Sequence, residues 1–310
     1  MSILCVGSVA LDSIETPFGR AERVLGGSAV YFSAAASLFG HVQVVGVVGE
    51  DYPHEELRFL ERRGVDLSGI ERRAGESFFW SGRYHFDLNT RDTLETRLGV
   101  FADFEPKIPE AFRDARYVFL GNIDPVLQHD VLDQVEAPEV VACDTMNYWI
   151  TSSRESLIEL LGRVRIFIVN DEEVRQLADE PNLVKAARWV QERGPEIVVV
   201  KKGEHGAMLF ADGWLFFVPG FPLEEVFDPT GAGDAFAGGF MGQLARAGSL
   251  DPHDLRRAMV YGSVLGSYAV EKFSVRRLVD LPPADIERRV VQFRELTAFE
   301  TLVREQEQHV

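Results

Sequence analysis

Short apolar runs rich in β-branched residues recur along this chain, and amphipathic stretches separate them. Continuous apolar runs of this kind are typical of strands buried on both faces, as in a parallel sheet with helices on each side. The pattern predicts a three-layer α/β fold with a central, mostly parallel sheet of about eight strands. The clearest predicted strands cover residues 3–6, 42–48, 117–120, 140–143, 166–169 and 197–200.

The amphipathic stretches predict helices that cover both faces of the sheet. They span residues 28–39, 53–63, 128–134, 155–161, 172–178, 183–192, 233–246, 254–272 and 284–305. No repeat, low-complexity tract or Pro/Gly/Ser-rich linker interrupts the sequence. We therefore expect a single domain over residues 1–310.

Two segments depart from this alternation, at residues 12–25 and 77–101. The first is short and mixed and contains Pro17 and Gly19. The second includes a run of alternating apolar and polar residues, which is typical of strands with one exposed face. We expect both segments to form a small β-structure outside the main sheet, acting as a lid or as a dimer interface.

Composition argues against several classes of function. The formal net charge is −17, so binding to nucleic-acid backbones or to anionic membrane surfaces is unfavourable. Cys5 and Cys143 lie in apolar runs, which predicts buried thiols in a reducing compartment. Since we find neither a signal-peptide pattern nor an apolar run that could span a bilayer, the expected location is the cytoplasm.

The string Asp228-Pro-Thr-Gly-Ala-Gly-Asp234 is the strongest functional signal in the chain. Gly231 and Gly233 allow a tight turn that presents its amides in one direction, and the predicted helix that follows adds the positive end of its dipole. Together these features predict an anion pocket. An acidic side chain inside such a pocket indicates a general base, so Asp234 is a candidate for that role. The alternative is that Asp234 only caps the helix.

Several motifs in the expected order resemble those of the ribokinase-like sugar kinases of the phosphofructokinase-B type. One is Asp-Pro-Thr-Gly-Ala-Gly-Asp-Ala-Phe at residues 228–236. The others are Gly26-Gly27-Ser28-Ala29, Val47-Val-Gly-Glu-Asp51, Asn170-Asp-Glu-Glu173 and Lys201-Lys-Gly-Glu-His-Gly206. The resemblance extends over essentially the whole chain and implies a ribokinase-like fold with a small β lid.

The resemblance also implies a phosphotransferase that depends on ATP and Mg²⁺. Asp234 would take the proton of an acceptor hydroxyl as it attacks the γ-phosphate. The amides of Gly231, Ala232 and Gly233 would stabilise the transferring phosphoryl group. The positions expected to bind the nucleotide are Lys201, Gly203, Gly206, Thr230, Gly231 and Gly233. Lys202 is an alternative to Lys201, and either lysine could be a solvated strand end; a monovalent cation is a further candidate ligand.

Asn170 and Glu173 lie three residues apart at the start of a predicted helix, and hence on one face. In the family that the chain resembles, this pair helps to hold Mg²⁺ and its waters near the phosphates. That role suits magnesium, which keeps several waters and takes few protein carboxylates. The same spacing also fits a capping box, in which each residue bonds the backbone of the other. Both interpretations remain open from the sequence.

The acceptor side of the expected site begins with Asp12, which follows the first predicted strand. By resemblance, Asp12 binds substrate hydroxyls, while Gly26 and Gly27 let the backbone approach the substrate; simple turns are the alternative for all three. Tyr31 stands where many family members have Asn. Its ring could stack on a sugar face, stack on a base or only fill space, so sugar specificity does not transfer directly.

Other polar residues fall near the expected crevice, and the sequence singles out none of them. They are Arg83, His85, Asp87, Asn89 and Arg91 in the second β-rich segment, and Asn122, Asp124, Asp144 and Asn147 after predicted strands.

We expect the reaction to transfer the ATP γ-phosphate to a hydroxyl of a small sugar or sugar-like polyol. A nucleoside is the alternative acceptor, favoured if aromatic residues stack on its base. The aromatic candidates are Tyr31, Phe78, Phe79 and Trp80. A non-catalytic sugar-binding protein on the same fold is a further alternative, since fold alone does not fix function. The aromatic content of residues 78–86 also predicts a homodimer through the lid.

Overall fold

A computed structural model describes residues 2–299 of the chain. Its strands, in chain order, are β1 (Ser2–Val6), β2 (Ala10–Thr16), β3 (Gly19–Gly26), β4 (His41–Val48), β5 (Asp66–Arg72), β6 (Phe78–Tyr84), β7 (Arg91–Arg97), β8 (Tyr117–Leu120), β9 (Val140–Cys143), β10 (Ile166–Asn170), β11 (Ile197–Lys201), β12 (Ala207–Ala211) and β13 (Trp214–Val218). They form two sheets, one large and one small.

The large sheet has nine strands in the described part of the chain, in the order β13-β12-β11-β10-β9-β8-β1-β4-β5. Neighbouring strands from β11 to β5 are parallel, whereas β12 and β13 add antiparallel strands at one edge. Because the parallel strands all end at the same edge of the sheet, the residues that follow them share one crevice. The candidate site lies there.

Helices cover both faces of the large sheet. They are α1 (Ser28–Ala36), α2 (Arg58–Arg62), α3 (Pro125–Leu132), α4 (Asn147–Ser152), α5 (Arg154–Leu161), α6 (Asp171–Ala178), α7 (Leu183–Gln191), α8 (Ala232–Ala247), α9 (Pro252–Ala269), α10 (Arg276–Val279) and α11 (Pro283–Thr297). Ile3 and Cys5 of β1 pack into a core that contains α1, α8 and α9. Leu4 and Val6 pack into a second core on the opposite face, with α5, α6 and α7. The predicted three-layer α/β fold is confirmed.

The small sheet joins the two segments that depart from the main pattern. Its strand order is β3-β2-β6-β7, in which β2 and β6 are parallel and the other pairs are antiparallel. Ile14, Ala21, Val24 and Tyr84 form its own buried apolar cluster. The sheet leaves the main body beside α1, because β3 ends at Gly26 and α1 begins at Ser28. The predicted β-structure is therefore present, and its action as a lid stays a prediction.

The structure also differs from the predicted elements in places. The sequence pattern did not mark β5, β12 and β13. Of these, β5 and β13 are edge strands that pair on one side only and carry mixed, half-exposed residues, whereas β12 pairs on both sides and is mostly buried. The predicted helix over residues 53–63 divides into a short 3₁₀ turn and α2. The predicted helix over residues 284–305 is confirmed as far as Thr297, and its residues beyond 299 lie outside the described part of the chain.

Cys5 and Cys143 are buried free thiols, as the sequence predicts. Over residues 2–299, no helix has both the length and the apolar character needed to cross a membrane.

Candidate active site

The carboxyl ends of β9, β10 and β11 bring chemistry-bearing residues together from separate parts of the chain. Asp144 follows β9 directly, Asn170 ends β10 and Lys201 ends β11. Asn170 and Lys201 are register partners on adjacent strands. The first turn of α8 adds Asp234 to the same region, since its charge acts on Asp144 and is acted on by Lys201. The structure thus joins residues that are up to about ninety positions apart in the sequence, as the open edge of a parallel sheet allows.

The loop before α8 is held between an aromatic ring and a cation. Gly231 has a φ of 72°, and a Cβ at this position would lie 2.3 Å from the ring of Tyr31. A Cβ at Gly233 would lie 2.8 Å from Nζ of Lys201. Gly231 therefore needs to be glycine for its backbone angle and for its contact with Tyr31, whereas at Gly233 a side chain would displace the Lys201 ammonium. The N–H of Ala232 donates to the carbonyl of Pro229 at 3.2 Å, so this predicted anion-binding amide is partly satisfied within the loop.

The buried carboxylate of Asp228 holds the start of this loop through hydrogen bonds. Its carboxylate accepts hydrogen bonds from the N–H of Thr230 at 2.9 Å and from the N–H of Ser274 at 3.0 Å. The Ser274 hydroxyl in turn donates to the carbonyl of Leu25, next to the predicted acceptor glycines. Through Ser274, the buried carboxylate of Asp228 therefore links the predicted anion-binding loop (residues 228–233, called the anion loop below) to the end of β3, next to Gly26 and Gly27.

Asp234 is half-buried, and its protonation depends on two cations. Burial raises the pKa of Asp234, while the charges of Lys201 and Arg91 lower it. A carboxylate with a raised pKa is a stronger base than a solvated one, provided that nearby cations keep it ionised. The surroundings of Asp234 therefore suit proton acceptance.

Lys201, rather than Lys202, lies within this cluster. The positive charge of Lys201 lowers the pKa of Asp144, Glu173 and Asp234, each of which burial raises. Lys202 instead lies with its ammonium 5.8 Å from the centre of the Phe217 ring. Of the two lysines left open by the sequence, the geometry favours Lys201 as the phosphate-side cation.

Asn170 and Glu173 form a complete capping box at the start of α6. The Asn170 side chain accepts from the Glu173 N–H at 2.7 Å, and Glu173 Oε2 accepts from the Asn170 N–H at 2.9 Å. Glu173 is 7% exposed, and burial is the main cause of its raised pKa. The structural interpretation of this pair is therefore confirmed. It does not exclude the metal interpretation, because the box uses only one carboxylate oxygen of Glu173.

Asp144 has an unsatisfied polar atom at the edge of the cluster. It is 4% exposed, and its Oδ1 finds no hydrogen-bond partner among the described residues. Burial raises its pKa well above the ordinary value, and Asp234 raises it further. Over residues 2–299 no three His, Cys, Asp or Glu side chains are arranged to hold a metal ion. A site with only a few carboxylates next to phosphate groups still suits Mg²⁺, because this ion binds largely through waters and substrate oxygens.

The acceptor side is lined by Asp12, which is 4% exposed. A Cβ at Gly26 would lie 2.1 Å from Asp12 Oδ2, so only glycine leaves room for this carboxyl. Gly27 has a φ of 93°, and a Cβ there would lie 2.4 Å from the carbonyl oxygen of Ser8. Burial, followed by the charges of Asp228 and Asp234, raises the pKa of Asp12 to about 8.

Tyr31 packs beneath the anion loop and does not line an open crevice. Its side chain is 1% exposed, and its hydroxyl has no hydrogen-bond partner among the described residues. Of the three roles considered for this ring, the structure favours space filling over stacking on a substrate. The absence of the usual Asn is therefore compensated by a support for Gly231 rather than by a new substrate contact.

The hairpin of β6 and β7 reaches across the site. The hydroxyl of Thr230 donates to Tyr84 Oη at 3.2 Å, which links the small sheet to the anion loop. At the hairpin turn, Asn89 Oδ1 would lie 2.8 Å from a Cβ on Gly203, on the predicted nucleotide side. At the other end of β6, Ser77 donates its N–H and its hydroxyl to Asp51, each at 2.7 Å.

Arg91 is the functional candidate that sequence reasoning did not separate from its neighbours. Its charge lowers the pKa of Asp234 and of Glu173, and it also acts against the burial that raises the pKa of Tyr84. Arg91 and Tyr84 are register partners, so their side chains leave the same face of the small sheet. Side chains alternate between the two faces along β6 and β7, and this alternation is the sequence signal that could have identified Arg91.

Comparison with known proteins identifies the family of the chain. A family model described as pfkB family carbohydrate kinase matches residues 2–281. A cytidine kinase from Thermococcus kodakarensis is 31% identical over 257 residues, covering 81% of this chain and 91% of that protein. A nucleoside kinase from Methanothermobacter thermautotrophicus is 26% identical over 287 residues, covering 87% of this chain and 89% of that protein.

Among solved structures, an aminoimidazole riboside kinase from Salmonella enterica, complexed with aminoimidazole riboside and an ATP analogue, has a similar fold. Its TM-score is 0.77 at 19% identity, covering 94% of this chain and all of that one. This chain belongs to the pfkB family of carbohydrate kinases and is an ATP-dependent phosphotransferase. The predicted ribokinase-like family and fold are confirmed, and an enzyme is favoured over a non-catalytic binding protein. The residue roles stay predictions.

The raised pKa of Asp12 predicts that stability depends on pH. Between the ordinary value of 3.8 and about 8, the folded state holds a proton that the unfolded state has lost, so stability falls as pH rises through this window. Asp12→Asn removes this loss. We expect the melting temperature of the variant to rise relative to the parent between about pH 5 and about pH 9, measured by differential scanning fluorimetry. Asp114→Asn, at an exposed position, is the control, and parallel curves for Asp12→Asn and the parent would contradict the prediction.

Lys201→Met should remove the cation that keeps the neighbouring carboxyls ionised. We expect a loss of about 100-fold in kcat/KM for MgATP, together with a shift of the acidic limb of the pH–rate profile to higher pH. The shift follows because loss of the positive charge raises the pKa of Asp234. Lys202→Met is the matched control and should change neither quantity appreciably. Equal effects of the two substitutions on steady-state kinetics would refute the assignment of Lys201.

Proposed function

We propose that this protein transfers the γ-phosphate of MgATP to a ribose hydroxyl of a nucleoside. The observation that carries the proposal is the position of Asp234 in the first turn of α8, beside the charges of Lys201 and Arg91. A proton acceptor, an anion-binding helix start and two cations are what phosphoryl transfer to an alcohol requires. The nucleoside is favoured over a free sugar because relatives that cover more than four-fifths of the chain are named cytidine kinase, nucleoside kinase and aminoimidazole riboside kinase, although a ribose-1-phosphate kinase also covers 84% of it.

In this proposal, Asp234 accepts the proton of the attacking hydroxyl. The new bond joins the hydroxyl oxygen to the γ-phosphorus while the bond to the β-phosphate oxygen of ATP breaks, and ADP leaves with the electron pair. The amides of Gly231 and Gly233 and the positive end of α8 stabilise the charge on the transferring group. Lys201 neutralises phosphate oxygens on the nucleotide side, where Gly203, Gly206 and Thr230 are expected to contact the nucleotide.

Mg²⁺ fits the carboxyl cluster next to these groups. Glu173 and Asn170 would hold it through waters, and the unsatisfied Oδ1 of Asp144 is a further oxygen within the cluster. The bound ion would offset negative charge on the ATP phosphates. A monovalent cation and a cytoplasmic location remain predictions from the sequence.

On the acceptor side, Asp12 would bind hydroxyls of the sugar. A carboxyl with a pKa of about 8 can donate a hydrogen bond when protonated and accept hydrogen bonds when ionised, so it suits a diol at neutral pH. Gly26 leaves room for the carboxyl of Asp12 and Gly27 for the carbonyl of Ser8, so the two glycines would act by shaping the acceptor side around Asp12. A free sugar or polyol would satisfy the same groups and is the second candidate acceptor.

The proposal predicts turnover with a nucleoside and dependence on one carboxylate. ADP release from MgATP is measured with cytidine, uridine, adenosine, ribose and fructose as acceptors. We expect the highest kcat/KM with a nucleoside, and a loss of roughly 100-fold or more in Asp234→Asn because the general base is removed. Asp254→Asn is a matched control, since Asp254 is also half-buried in the first turn of a helix, α9.

Two results would contradict this function. Parent-like rates in Asp234→Asn would exclude the aspartate as base. A folded parent protein that turns over none of the acceptors would exclude the proposed reaction. Preference for ribose or fructose over every nucleoside would support the sugar kinase alternative instead.

We also propose that two copies associate through the small sheet. β7 is an edge strand whose residues are all exposed, and Leu94 is 51% exposed on it. We expect light scattering at micromolar concentration to give twice the chain mass of 34.7 kDa. Leu94→Asp should yield a monomer, whereas Val126→Asp, at a residue 52% exposed on α3, should not. A parent that scatters as a monomer would overturn the proposal.

A further inference from the structure

One face of the small sheet turns toward the acceptor side of the site. Asp12 of β2 and Trp80 of β6 are register partners, as are Ile14 and Gly82. Register partners on adjacent strands point to the same face and lie about 5 Å apart. The indole of Trp80 is therefore a direct neighbour of the carboxyl that is expected to bind acceptor hydroxyls.

The indole lies along its own strand. A Cβ at Gly82 would come within 2.2 Å and 2.3 Å of ring atoms Cη2 and Cζ2 of Trp80, so the six-membered part of the ring covers this glycine. The indole Nε1 of Trp80 donates to Oγ1 of Thr93 at 3.3 Å, and this hydrogen bond fixes the ring to the neighbouring strand β7. The half-buried ring is thus held on the small sheet, over Gly82 and against the apolar cluster that contains Ile14 and Tyr84.

The other aromatic candidates are either buried or stacked on another aromatic ring. Phe78 stacks on Phe101 at a centroid distance of 5.2 Å. Phe79 is 7% exposed and has the guanidinium of Arg97 4.5 Å from its ring centre. Tyr31 is enclosed beneath Gly231. Among the described residues, Trp80 has no aromatic stacking partner, and it is half-buried rather than enclosed.

Asp12 and Asp234 lie near each other on the expected acceptor side. The charge of Asp234 raises the pKa of Asp12, so the two carboxyls lie in one electrostatic environment. Arg91, whose charge acts on Asp234, also lies 5.9 Å from the centre of the Trp80 ring. A ribose bound by Asp12 would lie next to the strand partner of Asp12, which is Trp80.

We propose that Trp80 is the specificity-determining residue of the acceptor site, and that its indole stacks on the base of a nucleoside. This inference rests on the proposed function and assigns the preference for nucleosides over free sugars to one side chain. Stacking suits this task because every nucleobase has an aromatic face, whereas ribose alone lacks one.

The test compares Trp80→Ala and Trp80→Phe with the parent enzyme, using cytidine, adenosine and ribose. We expect Trp80→Ala to raise KM for the nucleosides about 10- to 100-fold, with a smaller change in kcat, because stacking contributes mainly to binding. Trp80→Phe should recover most of the loss, since it keeps an aromatic face. Turnover of ribose should change little. Phe86→Ala is the matched control, because Phe86 is an aromatic residue of the same hairpin that is 91% exposed.

A binding measurement separates failure of this inference from failure of the proposed reaction. Calorimetric titration of cytidine, adenosine and ribose into the parent and the variants, with a non-hydrolysable ATP analogue present, does not require turnover. Weaker nucleoside binding in Trp80→Ala, restored in Trp80→Phe, would support the inference even if no acceptor is phosphorylated. Equal losses for ribose and nucleosides, an equal loss in Phe86→Ala, or no nucleoside binding to the parent would overturn it.

Discussion

The ammonium of Lys201 sets the electrostatic balance on which the site depends. Asp144, Glu173 and Asp234 come from three different elements, and burial disfavours the charged form of each. Lys201 lowers the pKa of all three from the end of a central strand. Since like charges buried together repel one another, this cation, assisted by Arg91, lets acidic side chains that follow β9 or lie in the first turns of α6 and α8 meet at one edge of the sheet.

Glycines make room for the side chains that shape the site. Gly231 accommodates the ring of Tyr31, Gly26 the carboxyl of Asp12 and Gly82 the indole of Trp80. In each pair a side chain occupies the space that a Cβ would take, so the loop, the acceptor side and the small sheet are each fitted to a neighbour. At these three positions, replacing the glycine would displace the side chain of a neighbouring site residue.

The small sheet connects the two halves of the expected reaction. Tyr84 meets the anion loop at Thr230, Asn89 meets the turn at Gly203, and Trp80 lies beside Asp12. In the proposed function, these contacts would let an acceptor on the sheet and a nucleotide on the main body be enclosed together. Enclosure excludes water, which protects ATP from hydrolysis and strengthens the interactions of Lys201 and Arg91 with phosphate oxygens.

The sequence by itself determined the fold class, the family and the position of the anion loop, because apolar periodicity and glycine-rich turns are local properties. It could not separate a capping box from a metal pair at Asn170 and Glu173, since both use the same spacing, and it assigned the phosphate side to Lys201 only through the family resemblance, with Lys202 as the alternative. The tertiary structure shows the capping box while leaving the metal role a prediction, places Lys201 among the buried carboxyls, and brings Arg91 close to Asp234 and Trp80 beside Asp12. The reason is physical: burial, strand register and electrostatic coupling depend on contacts between residues far apart in the chain.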